Sequence, residues 1–162
     1  MTNHKRKKSD RLTKQLASKI GARVNINSGA FHTDKGDLSL EDDYGESWKI
    51  EHKYTDAAHY TLKLSTFLKA EQEAKITGSH PVMVIEFTGG RSSLKRSLAV
   101  LDGSWSNEIQ VSEELSTDKK SVRISPSLVS IKKPLKILFE SDKRTLLLTT
   151  AIEWQQLLER DN

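Results

Sequence analysis

The chain of 162 residues contains no cysteine. That excludes disulfides, thiolate metal sites and a cysteine nucleophile, and it is compatible with a reducing compartment. There is no apolar run near the roughly 18 residues needed to span a bilayer, so no membrane partner is expected. The first residues are basic with no apolar stretch behind them, which does not read as a secretory signal and points to a cytoplasmic protein. There is no internal repeat and no low-complexity linker. The histidines (His4, His32, His52, His59, His80) show no metal-ligand spacing, which speaks against a histidine zinc site. Gly89-Gly90-Arg91 lacks the Lys-Ser/Thr of a phosphate loop, so no nucleotide cofactor is expected and the glycines read as a strand terminator.

What is present suits one globular domain, with 35% hydrophobic and 30% charged residues. The net charge of +4 is unevenly spread. Residues 1–25 hold eight Lys/Arg (Lys5, Arg6, Lys7, Lys8, Arg11, Lys14, Lys19, Arg23) against Asp10 alone, so that segment carries +7 and the rest sums to −3. A basic segment on a mildly acidic body suggests a polyanion partner, nucleic acid first; the plain alternative is a solvated tail.

Hydrophobic periodicity divides the chain into elements. Residues 1–8 are expected as a basic, flexible tail. Ser9 or Asp10 is placed to cap a helix carrying Leu12, Leu16, Ala17 and Ile20, with Gly21 as its stop. Val24 and Ile26 alternate as a strand, Ser28-Gly29-Ala30 breaks it, and Asp37 to Leu40 alternates again. Glu41 to Gly45 reads as a hairpin loop. In the next strand Trp48, Ile50 and His52 share one face, and Lys49, Glu51 and Lys53 the other. Thr61 or Ser65 can cap a second helix with Leu64, Phe67, Leu68 and Ala74 inward and Gly78 closing it. The run Pro81 to Phe87 suits a strand buried on both faces. Leu94 to Leu101, Val122 to Ser125, Leu135 to Phe139 and Thr145 to Leu148 read as further strands, with turns at Asp102-Gly103 and Ser141 to Arg144. Thr149 or Thr150 caps a last helix with Ile152, Trp154, Leu157 and Leu158. Trp48, Trp105 and Trp154 are assigned to core or interface. The result is an α/β (α+β) domain with a mixed sheet, in the order αβββαβ over 9–101 with a C-terminal β-rich extension over 102–162.

The stretch that carries chemistry is Lys35-Gly36-Asp37 followed, after thirteen residues, by Glu51-His52-Lys53. An antiparallel hairpin would bring Asp37 near Glu51, and Glu51 and Lys53 lie roughly 7 Å apart along one strand face. Two carboxylates and an ammonium converging in this way suit phosphodiester cleavage. Mg²⁺ takes one or two protein carboxylates and keeps its waters. It neutralises developing phosphate charge and lowers the pKa of bound water, while a Lys positions that water or stabilises the pentacovalent charge. Two unrelated surface acids beside a Lys are the plain alternative.

At these residues the chain resembles the PD-(D/E)XK nuclease superfamily, with Gly36 in place of the family proline. The likeness is closest to the Holliday-junction resolvase branch. It runs through Gly21, Ser28-Gly29, Lys35-Gly36-Asp37, Ile50-Glu51-His52-Lys53-Tyr54-Thr55, the helix Leu68 to Ala74 and the strand Pro81 to Phe87, and covers residues 8–90. The resemblance implies a restriction-endonuclease-like fold. Asp37, Glu51 and the backbone carbonyl of His52 would hold Mg²⁺, with Mn²⁺ as a substitute, and Lys53 would be the catalytic lysine. It further implies a homodimer acting on branched DNA in a bacterial or bacteriophage-infected cytoplasm. Asp10 falls where the branch has a helical acid, so it is either a fourth catalytic residue or only a helix cap. Ser28 falls where the family has a Ser near the scissile phosphate.

If the protein is a nuclease, Lys5, Arg6, Lys7 and Lys8 would bind backbone phosphates, with Lys35 close to the site. His32 may be read as a loop residue near DNA or as solvated. Lys63 and Lys69 are either phosphate contacts or a solvated helix face. Tyr54 and Tyr60 are either stacking residues or core. Two other readings stay open: a nuclease of the same fold with a restriction, repair or flap substrate, and a non-catalytic DNA-binding module.

Overall fold

The computed structural model describes residues 3–25, 37–89, 96–111, 113–129 and 134–159. Helix α1 (Asn3–Ile20) leads to strands β1 (Arg23–Val24), β2 (Leu38–Glu41), β3 (Ser47–Thr55) and β4 (Tyr60–Lys63). Helix α2 (Leu64–Ile76) follows, then β5 (His80–Phe87), β6 (Leu98–Asp102), β7 (Glu113–Thr117), β8 (Ser121–Ile124), β9 (Leu135–Phe139), β10 (Arg144–Thr150) and helix α3 (Ala151–Leu158). The main sheet has eight strands in the order β1-β2-β3-β5-β6-β10-β9-β7, and β4 with β8 makes a separate two-stranded ribbon. The sheet is mixed: β3–β5 and β7–β9 are parallel pairs, the others antiparallel. The fold is therefore α/β with helices on both faces of a mixed sheet. Among the described residues no helix is long and apolar enough to cross a membrane.

The period of two along each strand sorts the side chains into two cores. One face carries Met83, Ile85, Leu98, Val100, Ile137, Leu146 and Leu148, covered by Leu64 and Phe67 of α2 and by Leu62 and Ile124 of the ribbon. The other carries Leu38, Trp48, Ile50, Val82, Val84, Ala99, Leu101 and Leu147, covered by Leu16, Ala17 and Ile20 of α1 and by Ala151, Trp154 and Leu158 of α3. Strand β5 is buried on both sides from Val82 to Phe87, as its continuous apolar run predicts. The tryptophans also lie in the core: Trp48 touches Trp105 and Trp154 at ring-centroid distances of 5.0 and 5.8 Å.

Several expectations need correction. Helix α1 begins at Asn3, so residues 3–8 are not a tail, and Ser9 and Asp10 lie inside the helix rather than at its cap. Lys and Arg are good helix formers, and within the extended helix Lys8 meets Asp56 at 2.9 Å and the Tyr54 ring at 5.3 Å. Gly21 does close it, at φ 70°. Thir second helix is capped by neither Thr61, which lies in β4, nor Ser65, which lies within α2. Its start is instead supported across the chain, where the Leu64 N–H donates to the Lys120 carbonyl at 3.0 Å. Lys63, expected on this helix, belongs to β4.

The strand expected from Leu94 begins at Leu98. The Asp102-Gly103 turn is a 3-10 helix (Gly103–Asn107), with the Asp102 carboxylate accepting from the Ser104 N–H. A Cβ on Gly103 would lie 2.7 Å from the Thr145 carbonyl oxygen, so this close approach requires glycine. Residues 102–150 supply three strands of the main sheet, with β10 seated between β6 and β9. The C-terminal part thus completes the sheet rather than extending it.

The final helix starts where expected. The Glu153 N–H donates to the Thr150 hydroxyl at 3.1 Å, and Glu153 also contacts the Thr149 hydroxyl. Thr150→Ala removes an N-cap and is expected to cost about 1 kcal/mol of stability, measured as a lower urea midpoint with unchanged slope.

Candidate active site

The register of the β2–β3 hairpin builds the site. Leu38 pairs with Ile50 and Leu40 with Trp48, with Leu38, Ile50 and Trp48 buried. Asp37 directly precedes this ladder on one side, and Glu51 directly follows Ile50 on the other. Asp37 is held on its backbone from both sides: its N–H donates to the Ile50 carbonyl and its carbonyl accepts from the Asn25 N–H, each at 3.0 Å. The hairpin brings the two carboxylates close enough for the Glu51 charge to act on Asp37.

Lys53 joins them from the same face of β3, its Nζ 2.7 Å from Glu51 Oε1. The backbone of His52 contributes as well, since its N–H donates to Asp37 Oδ2 at 2.8 Å. Along a strand both backbone groups of alternate residues point to the same neighbour. Because the Ile50 carbonyl faces β2, the His52 carbonyl is directed to that side too.

Electrostatics follow from this crowding. Burial raises the pKa of Asp37, and the charge of Glu51 raises it further; the His52 N–H and the Lys53 charge oppose that without cancelling it. For Lys53, burial would lower the pKa, but the hydrogen bond to Glu51 and the charges of Glu51 and Asp37 outweigh it, and the net shift is upward. Tyr60 of β4 borders the same group. Burial raises its pKa, Lys53 lowers it and Glu51 raises it, with a net rise. At neutral pH Lys53 is thus a cation and Tyr60 a neutral phenol. A cavity of about 380 Å³ opens here, with Glu51 and Lys53 on the strand wall and Ser65, Thr66, Lys69, Ala70 and Glu73 on the α2 wall.

Two neighbouring carboxylates and a carbonyl are hard oxygen donors of the kind Mg²⁺ takes, and a dication would offset the burial and the Glu51 charge that raise Asp37. The residues fit such an ion. Among the described residues no group of three or more His, Asp or Glu side chains is placed to hold a metal ion.

The other expected site residues distribute differently. Asp10 is exposed on α1 among Lys7, Arg11 and Lys14, and α1 packs on the sheet face opposite to Glu51 and Lys53. The structure does not bring it to the trio. Lys5, Arg6 and Lys7 are exposed on the first turns of α1, whereas Lys8 is half-buried and ion-paired with Asp56. Ser28, Lys35 and His32 lie outside the described residues. Tyr54 lies on the α1 face beneath Lys8, and Tyr60 on the site face.

The sequence reading missed the anchorage behind the site. The His52 ring is buried on the α1 face, with Nδ1 2.9 Å from the Thr13 hydroxyl and Nε2 3.8 Å from Glu86 Oε2. Glu86 has a signal in the sequence, as the lone acid in the apolar run Val82 to Phe87. Thr13 has none.

No protein-family model matches the chain, and no curated protein matches it at a significant level.

The raised pKa of Asp37 has a sign that can be measured. Its neutral form suits the fold, so the associated stability is full below the ordinary carboxylate range and is lost as pH rises through the raised value. Asp37→Asn keeps an acceptor for the His52 N–H and removes the charge. Without divalent metal it is expected to melt above wild type at pH 7, with the gap closing in acid. Mg²⁺ at a hundredfold excess over Kd should stabilise wild type by about 2.7 kcal/mol and the variant far less. Thermal unfolding with and without Mg²⁺ checks both.

Proposed function

We propose that the protein is a Mg²⁺-dependent DNA endonuclease with a restriction-endonuclease-like core, acting in the cytoplasm as a homodimer on branched DNA such as four-way junctions. The observation that carries this reading is the convergence of Asp37, Glu51 and Lys53, with the Lys53 ammonium 2.7 Å from the Glu51 carboxylate and the charges of both acting on Asp37. The element order supports the fold assignment. With the short β4 set aside, α1, β1, β2, β3, α2 and β5 follow the αβββαβ succession, and β1-β2-β3-β5 are sheet neighbours. The choice of junction as substrate rests on the resemblance in residues 8–90, and a two-fold dimer suits two symmetric cuts.

Asp37, Glu51 and the His52 carbonyl would hold the ion. When bound, it supplies charge neutralisation at the phosphate and a water acidic enough to attack at neutral pH. The protein's own residues do the rest. The backbone bonds on Asp37 and the Thr13–His52 contact fix the ligands before substrate arrives, so little reorganisation remains. The Lys53 ammonium, kept protonated by its acidic neighbours, donates to the attacking water or to the phosphate oxygen that gains charge. The α2 wall of the cavity limits access of bulk water to that point.

Asp37→Ala and Glu51→Ala are each expected to lower Mg²⁺-dependent cleavage of a synthetic four-way junction by about 10²-fold or more, while junction binding in Ca²⁺ or EDTA persists. Normal cutting by either variant would reject the site. Equal cleavage of junction, flap and linear duplex would retain the nuclease and reject junction selectivity. Tight DNA binding with no cleavage in Mg²⁺ or Mn²⁺ would make the protein a binding module.

A further inference from the structure

The β4–β8 ribbon has two unlike faces. Its register sets Tyr60 opposite Ile124 and Leu62 opposite Val122, and these pack on the core. The intervening pairs, Thr61 with Arg123 and Lys63 with Ser121, face outward. Thr61, Lys63 and Arg123 are exposed, and no acid lies on that face. Neither Lys63 nor Arg123 has an ion-pair partner among the described residues, whereas Lys120 in the adjoining turn is neutralised by Asp142 at 3.0 Å. The inner face explains why the ribbon forms. Nothing in the packing requires two cations on the outer one.

The ribbon also borders the candidate site. Tyr60, on its inner face, senses the charges of Lys53 and Glu51. Helix α2 starts directly after Lys63, and its Ser65 and Lys69 line the cavity that holds Glu51 and Lys53. The cations Arg123 and Lys63 thus lie on the element next to the cavity, where Lys69 and Lys53 stand beside the acids Glu73 and Glu51.

We propose that the outer face of the β4–β8 ribbon is a DNA-backbone contact surface that guides a strand into the neighbouring site. Lys63 and Arg123 are diagonal neighbours about 7–8 Å apart at Cα, comparable to the step between successive phosphates on one strand. A two-stranded ribbon is of a size that enters or rides a DNA groove. Two long cations flanked by the Thr61 and Ser121 hydroxyls suit phosphate oxygens, so the contact adds affinity and register but no base choice. This inference deepens the nuclease reading and rests on it for the identity of the ligand.

The test is fluorescence anisotropy of a labelled four-way junction with the full chain in EDTA, titrated over a range of NaCl. The double variant Lys63→Gln/Arg123→Gln is compared with wild type and with Lys75→Gln/Lys143→Gln, an equal charge change elsewhere. Unchanged circular dichroism and melting establish that both variants are folded. The ribbon variant is expected to bind about tenfold more weakly, with the salt slope reduced by roughly 2. The control should stay near wild type. An unchanged slope in the ribbon variant, or an equal loss in the control, overturns the proposal. So does a wild-type protein that ignores DNA and binds polyglutamate through these residues. Cleavage is scored separately: a ribbon-dependent slope with no Mg²⁺-dependent cutting sinks the nuclease and keeps the contact surface.

Discussion

The register of β2 against β3 is the constraint on which the candidate site depends. It is set by apolar burial: Leu38 and Ile50 are fully inaccessible and Trp48 nearly so, all on the face that α1 and α3 cover. Strand side chains alternate strictly, so slipping β2 by one residue would put Leu38 and Leu40 on the polar face and turn Asp37 away from Glu51. The hydrophobic effect on one side of the sheet thereby decides the spacing of charges on the other. The polar pair needs no attraction of its own to form, and two carboxylates would not supply one.

His52 ties the two sides together. Its backbone serves the site, through the N–H on Asp37, while its ring is packed on the far face against Thr13 of α1 and Glu86 of β5. A residue between Glu51 and Lys53 in a strand must point its side chain to the opposite face. Here that outward direction is used to lock the strand to the helix beneath. The same helix carries the exposed cations Lys5, Arg6 and Lys7, so the basic surface of α1 and the acidic pair share one rigid connection.

Where the sequence was legible, a local period carried the signal. The alternation from Trp48 to Lys53, the apolar run of β5 and the Thr150 cap each sit within a few residues and appear as read. What was not legible depends on partners far along the chain. Strand β4 is short, and its hydrogen bonds go to β8, about sixty residues later. Strand β7 has almost no buried side chain and exists because it pairs with β9. The α2 start draws on Lys120 instead of a local cap. In the site the trio was legible, because its members lie on two strands joined by a hairpin. Tyr60 was only weakly indicated, and Thr13 not at all, because tertiary packing alone delivers them. The helical spacing that marks the buried side of α1 says nothing of how far the helix reaches toward its N-terminus, so the sequence sets the helix start at Ser9 or Asp10 although the helix begins at Asn3.

The seat of β10 between β6 and β9 has a consequence for how the molecule assembles. Residues 144–150 bridge the half of the sheet that holds the hairpin and the half that ends in β7. Until that segment is available, β6 and β9 each present an open edge, and an open edge is a template for pairing with another chain. Such long-range closure is slow compared with helix or hairpin formation. The hairpin that carries Asp37 and Glu51 can form early from local contacts, yet the sheet behind it closes only when β10 is inserted. A nascent or truncated chain ending before residue 144 would therefore carry Asp37, Glu51 and Lys53 on an unfinished, association-prone sheet, which makes the insertion of β10 the step that completes the support behind the candidate site.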